Sequence, residues 1–504
     1  MDFLHLVGMS FTCLAFVSSS ECSSKPNKVN VHGPGLKPDS IVMPARYFFV
    51  TIIEKSQSRH EQPVLEHLKV DINGKNIYQR NCRVWTNILD RKDGSFIVRY
   101  KLYETCYDME ISVKYEGNDV EGSPIIVEGV VQPDDCYCPS SLQKWLKDYN
   151  CPKSYAQIEH DLQPFSTVDF TEFHDHVVSS VNNSGSMSVC NYVIRNNQIY
   201  RKCYGQHVGF KMFMDATLSS LARKVKLPDT EIFVNLGDWP LVQKAAEKIF
   251  PMFSWCGSRQ SLDIVMPTYD ITESSLEAMG RVSLDMLSVQ GNIDLPWSER
   301  EQKAFWRGRD SSRERLKLIE IARKHPDLFN ASMTNFFFFR DVEHIYGPKE
   351  KHVSFFDFFK YRYQVSVDGT VAAYRLPYLL AGGSLVLKQD SHYYEHFYGE
   401  LTPWEHYVPV KRDLSDLVER VQWALDNDEE AHKIAVNGQK YARENLLPDH
   451  IFCYHIVLLK EWARRLQGNV EVREGMEKVP QTENKNCVCP QLSEIDSKPS
   501  HEEL

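Results

Sequence analysis

The secondary-structure pattern changes once along the chain, between Cys136 and Cys151, and this change constrains the fold most. Before it, short β-rich runs in residues 33–132 are separated by turn signals such as Asp93-Gly94. After it, predicted helices alternate with short apolar strands over about 300 residues, which is typical of a parallel α/β architecture. The sequence therefore predicts a multidomain chain, with an immunoglobulin-like β-sandwich followed by two α/β halves and a cleft between them.

Periodicity predicts the individual elements. In the sandwich region the β-rich runs are Ala45–Ile53, Phe96–Tyr103, Met109–Tyr115 and Ile125–Val131. In the α/β region, short strands are expected at Glu231–Leu236, Ile264–Pro267 and Ser384–Lys388. Helices are expected at Phe210–Val225, Leu241–Phe250, Arg313–Lys324, Leu414–Leu425 and Glu430–Glu444. Thr370 is a candidate cap for a further helix that would carry Arg375.

Both ends of the chain resemble targeting signals. Residues 1–20 contain the apolar run Leu6–Val17 followed by small residues, which predicts a secretory signal peptide. The ending His501-Glu-Glu-Leu504 is close to an endoplasmic-reticulum retrieval signal, so we expect a retrieval receptor to bind it and keep the protein in the ER lumen. The polar residues 469–504 predict a flexible tail.

Charge and hydropathy exclude two classes of partner. The net charge of −10, without a long basic run, argues against nucleic acid. Beyond the predicted signal peptide no apolar run is long enough to span a bilayer. We therefore expect a soluble, lumenal protein without a membrane span.

Cysteine usage fits that compartment. The chain has thirteen cysteines, and Cys13 lies in the predicted signal peptide. The pairs Cys136-Tyr-Cys138 and Cys487-Val-Cys489 could form a four-cysteine zinc site, but their one-residue spacing is wrong for it, so disulfides are favoured. The disulfide candidates are Cys136, Cys138, Cys151, Cys190, Cys256 and Cys453. Asn182 and Asn330 begin N-glycosylation sequons.

The first candidate site residue follows an apolar strand. Glu231–Leu236 is followed by Gly237-Asp238-Trp239-Pro240, which places the carboxylate of Asp238 just past the carboxyl end of the strand. Open α/β sheets place their chemistry at this edge, so Asp238 is a candidate base. The alternative is that Asp238 only caps the helix predicted at Leu241–Phe250.

Two arginine-bearing segments are candidate anion sites. In the first, Ser311 and Glu314 have the spacing of a capping box, and Gly308 would let a ligand approach a helix N-terminus that carries Arg309 and Arg315. The alternative is an ordinary basic, solvated helix start.

In the second segment, Arg375 falls within an apolar stretch after Asp368-Gly-Thr370, where a phosphate would be a suitable partner. A salt bridge in the core is the alternative. Asp426-Asn-Asp428 matches the Asp-x-Asp pattern of metal-dependent transferases, but its place at a helix boundary favours a solvated turn.

These motifs together resemble a known family. Gly237-Asp-Trp-Pro240, Phe305-Trp-Arg-Gly-Arg309, Val371-Ala-Ala-Tyr-Arg375 and Tyr407-Val-Pro-Val-Lys411 are similar to motifs of the Rumi-like protein O-glucosyltransferases, glycosyltransferase family 90, over residues 136–465. Residues 33–132 resemble a filamin-type repeat, which one branch of that family carries. The resemblance implies a GT-B fold with two Rossmann-like halves. It also implies inverting, metal-independent transfer of glucose from UDP-glucose to serine in EGF-like repeats, such as those of Notch and fibrillin.

The resemblance also assigns roles to residues. Asp238 matches the catalytic base, and Arg315 and Arg375 match the diphosphate-binding arginines. Arg309 stands where the founder branch has a serine, and it is expected on the donor side with Gly308 and Ser311. No cofactor or metal is expected, since arginines can stabilise the leaving diphosphate. Two alternatives stay open: a non-enzymatic lumenal binding protein with a degenerate transferase domain, and transfer of xylose from UDP-xylose.

Overall fold

A computed structural model describes residues 28–37, 46–53, 65–133, 135–182, 187–276, 285–481 and 487–489. The predicted signal peptide and the retrieval-like ending lie outside these residues and stay predictions. Within the described residues, no helix has the length and apolar character needed to cross a membrane.

The first domain is an antiparallel β-sandwich. Its strands are β1 (Lys28–His32), β2 (Arg46–Ile53), β3 (Leu68–Lys75), β4 (Val84–Asp90), β5 (Ser95–Leu102), β6 (Cys106–Tyr115), β7 (Asn118–Asp119) and β8 (Ile125–Val131). One sheet has the order β1-β2-β5-β4, and the other joins β3, β6 and β7, with β8 also on β6. Alternating side chains from both sheets fill the core, and Cys82–Cys106 crosslinks it. The four predicted strands are confirmed.

The remaining residues form an α/β region. Its helices are α1 (Leu142–Asp148), α2 (Ala156–Leu162), α3 (Phe170–Val181), α4 (Lys211–Lys224), α5 (Tyr269–Leu276), α6 (Met286–Gln290), α7 (Arg313–Lys324), α8 (Glu343–Tyr346), α9 (Leu376–Ala381), α10 (Leu417–Asp426), α11 (Asp428–Asn445) and α12 (Pro448–Ala463). Its strands are β9 (Val168–Asp169), β10 (Val189–Arg195), β11 (Gln198–Tyr204), β12 (Thr230–Asn235), β13 (Phe253–Ser254), β14 (Gly257–Ser258), β15 (Ile264–Val265), β16 (Glu301–Arg309), β17 (Phe329–Asn335), β18 (Tyr361–Ser366), β19 (Leu385–Gln389), β20 (Tyr393–Tyr394), β21 (Val408–Val410), β22 (Leu466–Gln467) and β23 (Glu477–Lys478).

The two halves of this region have different sheets. The second half is parallel as predicted, in the order β17-β16-β18-β19-β21. The first, ordered β15-β13-β12-β10-β11-β23, is mixed, because β10 is antiparallel to both β11 and β12. A tight hairpin causes this: Asn196 and Asn197 both adopt positive φ, at 49° and 58°, as a two-residue β-turn requires. The expectation of a parallel sheet is therefore wrong for the first half.

Two local predictions are also wrong. No helix forms at Leu241–Phe250, because the buried carboxylate of Asp263 accepts the backbone N–H groups of Leu241 and Val242, both at 2.9 Å. Thr370 caps no helix, since α9 begins at Leu376 and Arg375 is its N-cap residue.

The described part of the C-terminal segment is anchored rather than flexible. Strand β23 pairs with β11, and the guanidinium of Arg473 contacts the buried carboxylate of Glu231 at 2.6 Å. Disulfides Cys136–Cys487 and Cys138–Cys489 hold the end of this segment. The predicted flexible tail from residue 469 is therefore wrong as far as the structure describes it.

The other cysteine predictions have mixed outcomes. Cys151 pairs with Cys453 and Cys190 with Cys203, so the disulfide interpretation holds for five of the six candidates. Cys256 is the exception, because it is a free, buried thiol that donates to the backbone carbonyl of Asp238 at 3.3 Å.

The sandwich packs directly on the α/β region. Tyr47, Phe49 and Ile97 share one apolar cluster with Met286 and Leu287 of α6. Polar contacts surround this interface: Tyr47 to Asp449 at 2.6 Å, Arg91 to Gln290 at 2.6 Å and Arg443 to Asp93 at 2.6 Å. The two domains therefore share a core.

Candidate active site

Asp238 lies in a turn that the end of strand β12 holds in place. The Asn235 side chain donates to the Trp239 carbonyl at 2.7 Å and accepts from the Gly237 N–H at 2.9 Å. This side chain is buried, whereas Asp238 is half-buried and Trp239 is exposed. Because no helix forms at Leu241–Phe250, Asp238 does not act as a helix cap, and that alternative is excluded.

The electrostatic environment of Asp238 combines burial with one positive charge. Burial raises the pKa of the Asp238 carboxyl above its usual range, and the charge of Arg309 opposes that rise. Burial also raises the pKa of Tyr269, with the negative charge of Asp238 adding to the effect. The carboxylate is thus influenced by the charge of an arginine from the second half and itself acts on a tyrosine from the first.

Strand β16 positions Arg309, whose charge acts on Asp238. Arg309 is the last residue of the strand, and its side chain is exposed. Gly308 is needed for packing: an added Cβ would lie 2.6 Å from the Trp306 ring. Trp306 is buried in the core of the second half. The glycine therefore lets the ring pack under the end of the strand, a role that the sequence did not reveal.

Helix α7 begins one residue later than the capping-box spacing predicts. Ser312, not Ser311, is the N-cap, and its hydroxyl accepts the Arg315 N–H at 3.4 Å while donating to the Asp368 carbonyl at 3.0 Å. The helix N-terminus and the turn after β18 are thereby joined.

Arg315 is buried and supports both turns. Its guanidinium donates to the carbonyls of Asp368 at 3.0 Å, Arg309 at 3.1 Å and Val367 at 3.3 Å, and to the Ser311 hydroxyl at 3.2 Å. Burial lowers its pKa to about 9, and the nearby positive charge of Arg375 contributes. Arg315 therefore holds together the carboxyl ends of the strands that would surround a ligand.

Arg375 has fewer contacts with the protein and lies at a cavity. Its guanidinium donates to the Arg307 carbonyl at 2.6 Å, while burial lowers its pKa and the charge of Asp270 opposes that fall. The side chain is half-buried and directed to the region between the halves.

Two cavities meet at the segment 308–312. The smaller, about 340 Å³, lies between Trp239 of the first half and the strand ends of the second, where it is lined by Ser311, Ser312, Asp368, Gly369, Thr370 and Arg412. The larger, about 460 Å³, is lined by Asp270, Arg307, Gly308, Arg309, Arg375 and Tyr378. The structure therefore brings Arg309, Ser311 and Arg375 together at these cavities, with Trp239, the neighbour of Asp238, on the wall of the smaller one.

Asp368 and Asp270 are site residues for which sequence reasoning predicted no role. Burial raises the pKa of Asp368 to about 6, while the Ser391 hydroxyl and the charges of Lys388 and Arg315 oppose the rise. Asp270 is the acidic group of the larger cavity. The available signal for Asp368 was its position directly before Gly369-Thr370.

Other candidates lie away from this cleft. The Asp428 carboxylate accepts from Arg362 at 2.7 Å and from the Trp297 indole at 3.1 Å, so the Asp-x-Asp pattern is an ordinary helix junction. Among the described residues, no group of three His, Cys, Asp or Glu side chains could hold a metal ion. Asn182 is exposed at the end of α3, whereas the Asn330 side chain is bound to Arg307 at 2.7 Å and to Tyr361 at 2.8 Å.

Comparison with known proteins identifies the family. Residues 147–497 match the family described as Glycosyl transferase family 90, and residues 23–126 match the Filamin/ABP280 repeat. The chain belongs to glycosyltransferase family 90. The prediction of a glycosyltransferase behind a filamin-type repeat is thus confirmed.

Relatives within family 90 extend over most of the chain. Protein O-glucosyltransferase 2 of Danio rerio is 50% identical over 92% of this chain and 92% of its own length. Protein O-glucosyltransferase 3 of Homo sapiens is 45% identical over 94% of each chain. Protein O-glucosyltransferase 1 of Homo sapiens is 31% identical over 70% of this chain and 89% of its own length. Among solved structures, the C-terminal domain of a glycosyl transferase group 1 family protein from Francisella tularensis is similar to 29% of this chain, with 12% identity and a TM-score of 0.23.

Proposed function

We propose that this glycosyltransferase transfers glucose from UDP-glucose to a serine hydroxyl of EGF-like repeats, with inversion at the anomeric carbon. The observation that carries the proposal is the position of Asp238, a half-buried carboxylate next to Trp239, which lines the cavity between the two α/β halves, and within the electrostatic influence of Arg309. We assign these halves to a GT-B fold. Relatives named protein O-glucosyltransferases support both the sugar and a protein acceptor.

The chemistry is a single displacement. The serine oxygen bonds to C1 of glucose while the bond from C1 to the diphosphate oxygen breaks. The serine proton passes to Asp238, and UDP leaves with the bonding electrons. A raised pKa makes Asp238 a stronger base than an exposed aspartate, and the charge of Arg309 favours its ionised form.

The leaving diphosphate needs positive charge where its own charge develops. Arg375 and Arg309 are the arginines that line the larger cavity together with Arg307, and the N-terminus of α7 adds free N–H groups near Ser311. Arg315 acts behind them by fixing the turns after β16 and β18. This arrangement supports transfer without a metal or another cofactor.

The compartment is part of the proposal. Five disulfides fit an oxidising lumen, and the ending His501–Leu504 supports retrieval to the endoplasmic reticulum. Removing those four residues should send the protein into the medium of cultured cells. Equal intracellular retention of the shortened chain would contradict the retrieval role.

Turnover by the purified full chain tests the activity. A folded EGF-like repeat with one acceptor serine is incubated with UDP-glucose or UDP-xylose, with and without EDTA, and the repeat is weighed by mass spectrometry. We expect the mass of one hexose to be added, with no effect of EDTA and no addition to a serine-to-alanine repeat. Addition of a pentose in preference to a hexose would identify UDP-xylose as the donor. Absence of transfer from either donor would support the alternative of a non-enzymatic binding protein.

A further inference from the structure

One sheet of the sandwich has an outer face that is only partly covered. Along β5, side chains alternate between the sandwich core and this outer face. Ile97 on the outer face packs on α6, and Arg99 contacts Ser288 at 3.2 Å and Asp285 at 3.6 Å. The same alternation continues to Lys101 and Tyr103, beyond the contact with α6. The domain interface therefore continues into an open surface.

The open part carries aromatic and basic side chains. Lys101 lies opposite Trp85 in the pairing of β5 with β4, and the backbones of Tyr103 and Arg83 are hydrogen-bonded at 3.4 Å. Trp85 is 41% exposed and Tyr103 is 50% exposed. We call Arg83, Trp85, Lys101 and Tyr103 the outer strip.

The outer strip is held in a fixed shape. The Arg83 guanidinium lies 4.5 Å from the centre of the Tyr103 ring. The Glu104 carboxylate accepts the Arg83 N–H at 3.0 Å and the Asn76 side chain at 3.0 Å, which joins the two loops at this end of the sandwich. A rigid surface loses little conformational entropy on binding.

We propose that the outer strip binds the acceptor protein at a module next to the one that is glucosylated, on a surface that is acidic and carries an exposed apolar side chain. Tyrosine, tryptophan and arginine are the residues that contribute most to protein interfaces. Arg83 makes no ion pair within the described residues, so its charge suits an acidic partner. This inference rests on the proposed function.

Two features favour an acceptor module over a second copy of this chain. The outer strip has four side chains, whereas each partner contributes roughly 20–30 residues to a stable interface, so the strip suits a partner that is already held elsewhere. The apolar cluster under the domain interface also contains Phe358 and Tyr378, which line the larger cavity of the cleft. The strip and the cleft thus belong to one body, and an acceptor with two linked modules gains effective concentration by contacting both.

The experiment compares two acceptors with full-length enzyme variants. One acceptor is a single EGF-like repeat with its serine, and the other is the same repeat covalently linked to a second, serine-free repeat. For the double variant Trp85→Ala/Tyr103→Ala, and separately for Arg83→Glu, we expect KM for the linked acceptor to rise by about tenfold. We expect kcat and KM for the single repeat to stay unchanged.

Matched controls lie on the opposite sheet of the same domain. Ile126, 56% exposed on β8, is replaced by alanine, and Lys69 on β3 by glutamate. These variants should leave KM unchanged for both acceptors. Thermal melting of each variant distinguishes a loss of binding from a loss of folding. Arg83→Glu is expected to remain folded because it removes no apolar contact from the core.

The outcomes distinguish this inference from the proposed function. Binding of each acceptor to immobilised enzyme is measured without donor, so it does not require turnover. Tighter binding of the linked acceptor that the strip variants abolish supports the inference. It is overturned by equal binding of the two acceptors to the unaltered enzyme, by equal effects on both acceptors, or by a dimer in sedimentation that the double variant dissociates. Absence of transfer alone contradicts only the proposed function.

Discussion

At the scale of single residues, Asp238 is the group on which the chemistry depends. In the variant Asp238→Asn the turn held by Asn235 remains, but the base is lost. We expect kcat to fall by roughly 10²-fold or more, with UDP affinity unchanged by calorimetry. Near-normal turnover by the folded variant would exclude Asp238 as the base.

Arg309 should lower the pKa of Asp238. Because its positive charge opposes the rise in the pKa of Asp238, removing it in Arg309→Ser raises this pKa further. Only the ionised carboxylate accepts the proton, so the acid limb of the kcat/KM profile should move to higher pH. Arg313→Ser is the matched control, since Arg313 is exposed on α7 and its charge does not act on Asp238. An unmoved acid limb in Arg309→Ser would contradict the role.

Arg315 and Arg375, the two candidate diphosphate-binding arginines, should differ in their effects on folding stability and on UDP binding. Arg315→Ala removes the donor of the Val367 carbonyl and one of the two donors of the Asp368 carbonyl, so we expect a loss of folding stability of roughly 3 kcal/mol, measured by urea unfolding. Arg375→Ala removes a half-buried side chain with one such contact and should mainly weaken UDP binding. Equal loss of stability in both variants would assign both arginines to the fold.

At the scale of elements, the start of α7 connects the two strand ends at the cleft. Ser312→Ala removes the cap of the helix and its bond to the Asp368 carbonyl. We expect a loss of about 1 kcal/mol in the free energy of unfolding and a raised KM for UDP-glucose. Ser311→Ala is the comparison that keeps the cap. If it lowered stability as much as Ser312→Ala does, the cap assignment would be wrong.

At the scale of the whole molecule, the sandwich and the α/β region should unfold together. A chain beginning near residue 133 would expose the α6 surface that Tyr47, Phe49 and Ile97 cover. Burial of these side chains contributes on the order of 5 kcal/mol, so the shortened chain should melt at a lower temperature or fail to fold. A shortened chain that kept the melting temperature and the single-repeat activity of the full chain would contradict this prediction.

The sequence by itself determined the order of the domains, the positions of seven strands (β2, β5, β6, β8, β12, β15 and β19), helix α7 and the motif residues Asp238, Arg309 and Arg375. These follow from local periodicity and from motifs whose residues are close in sequence. Tertiary structure alone decided where distant groups act. The carboxylate of Asp263 prevents a helix at 241–250, and a two-asparagine turn makes the first sheet mixed. Four acceptors from two strand ends surround the guanidinium of Arg315, and no local pattern records that convergence.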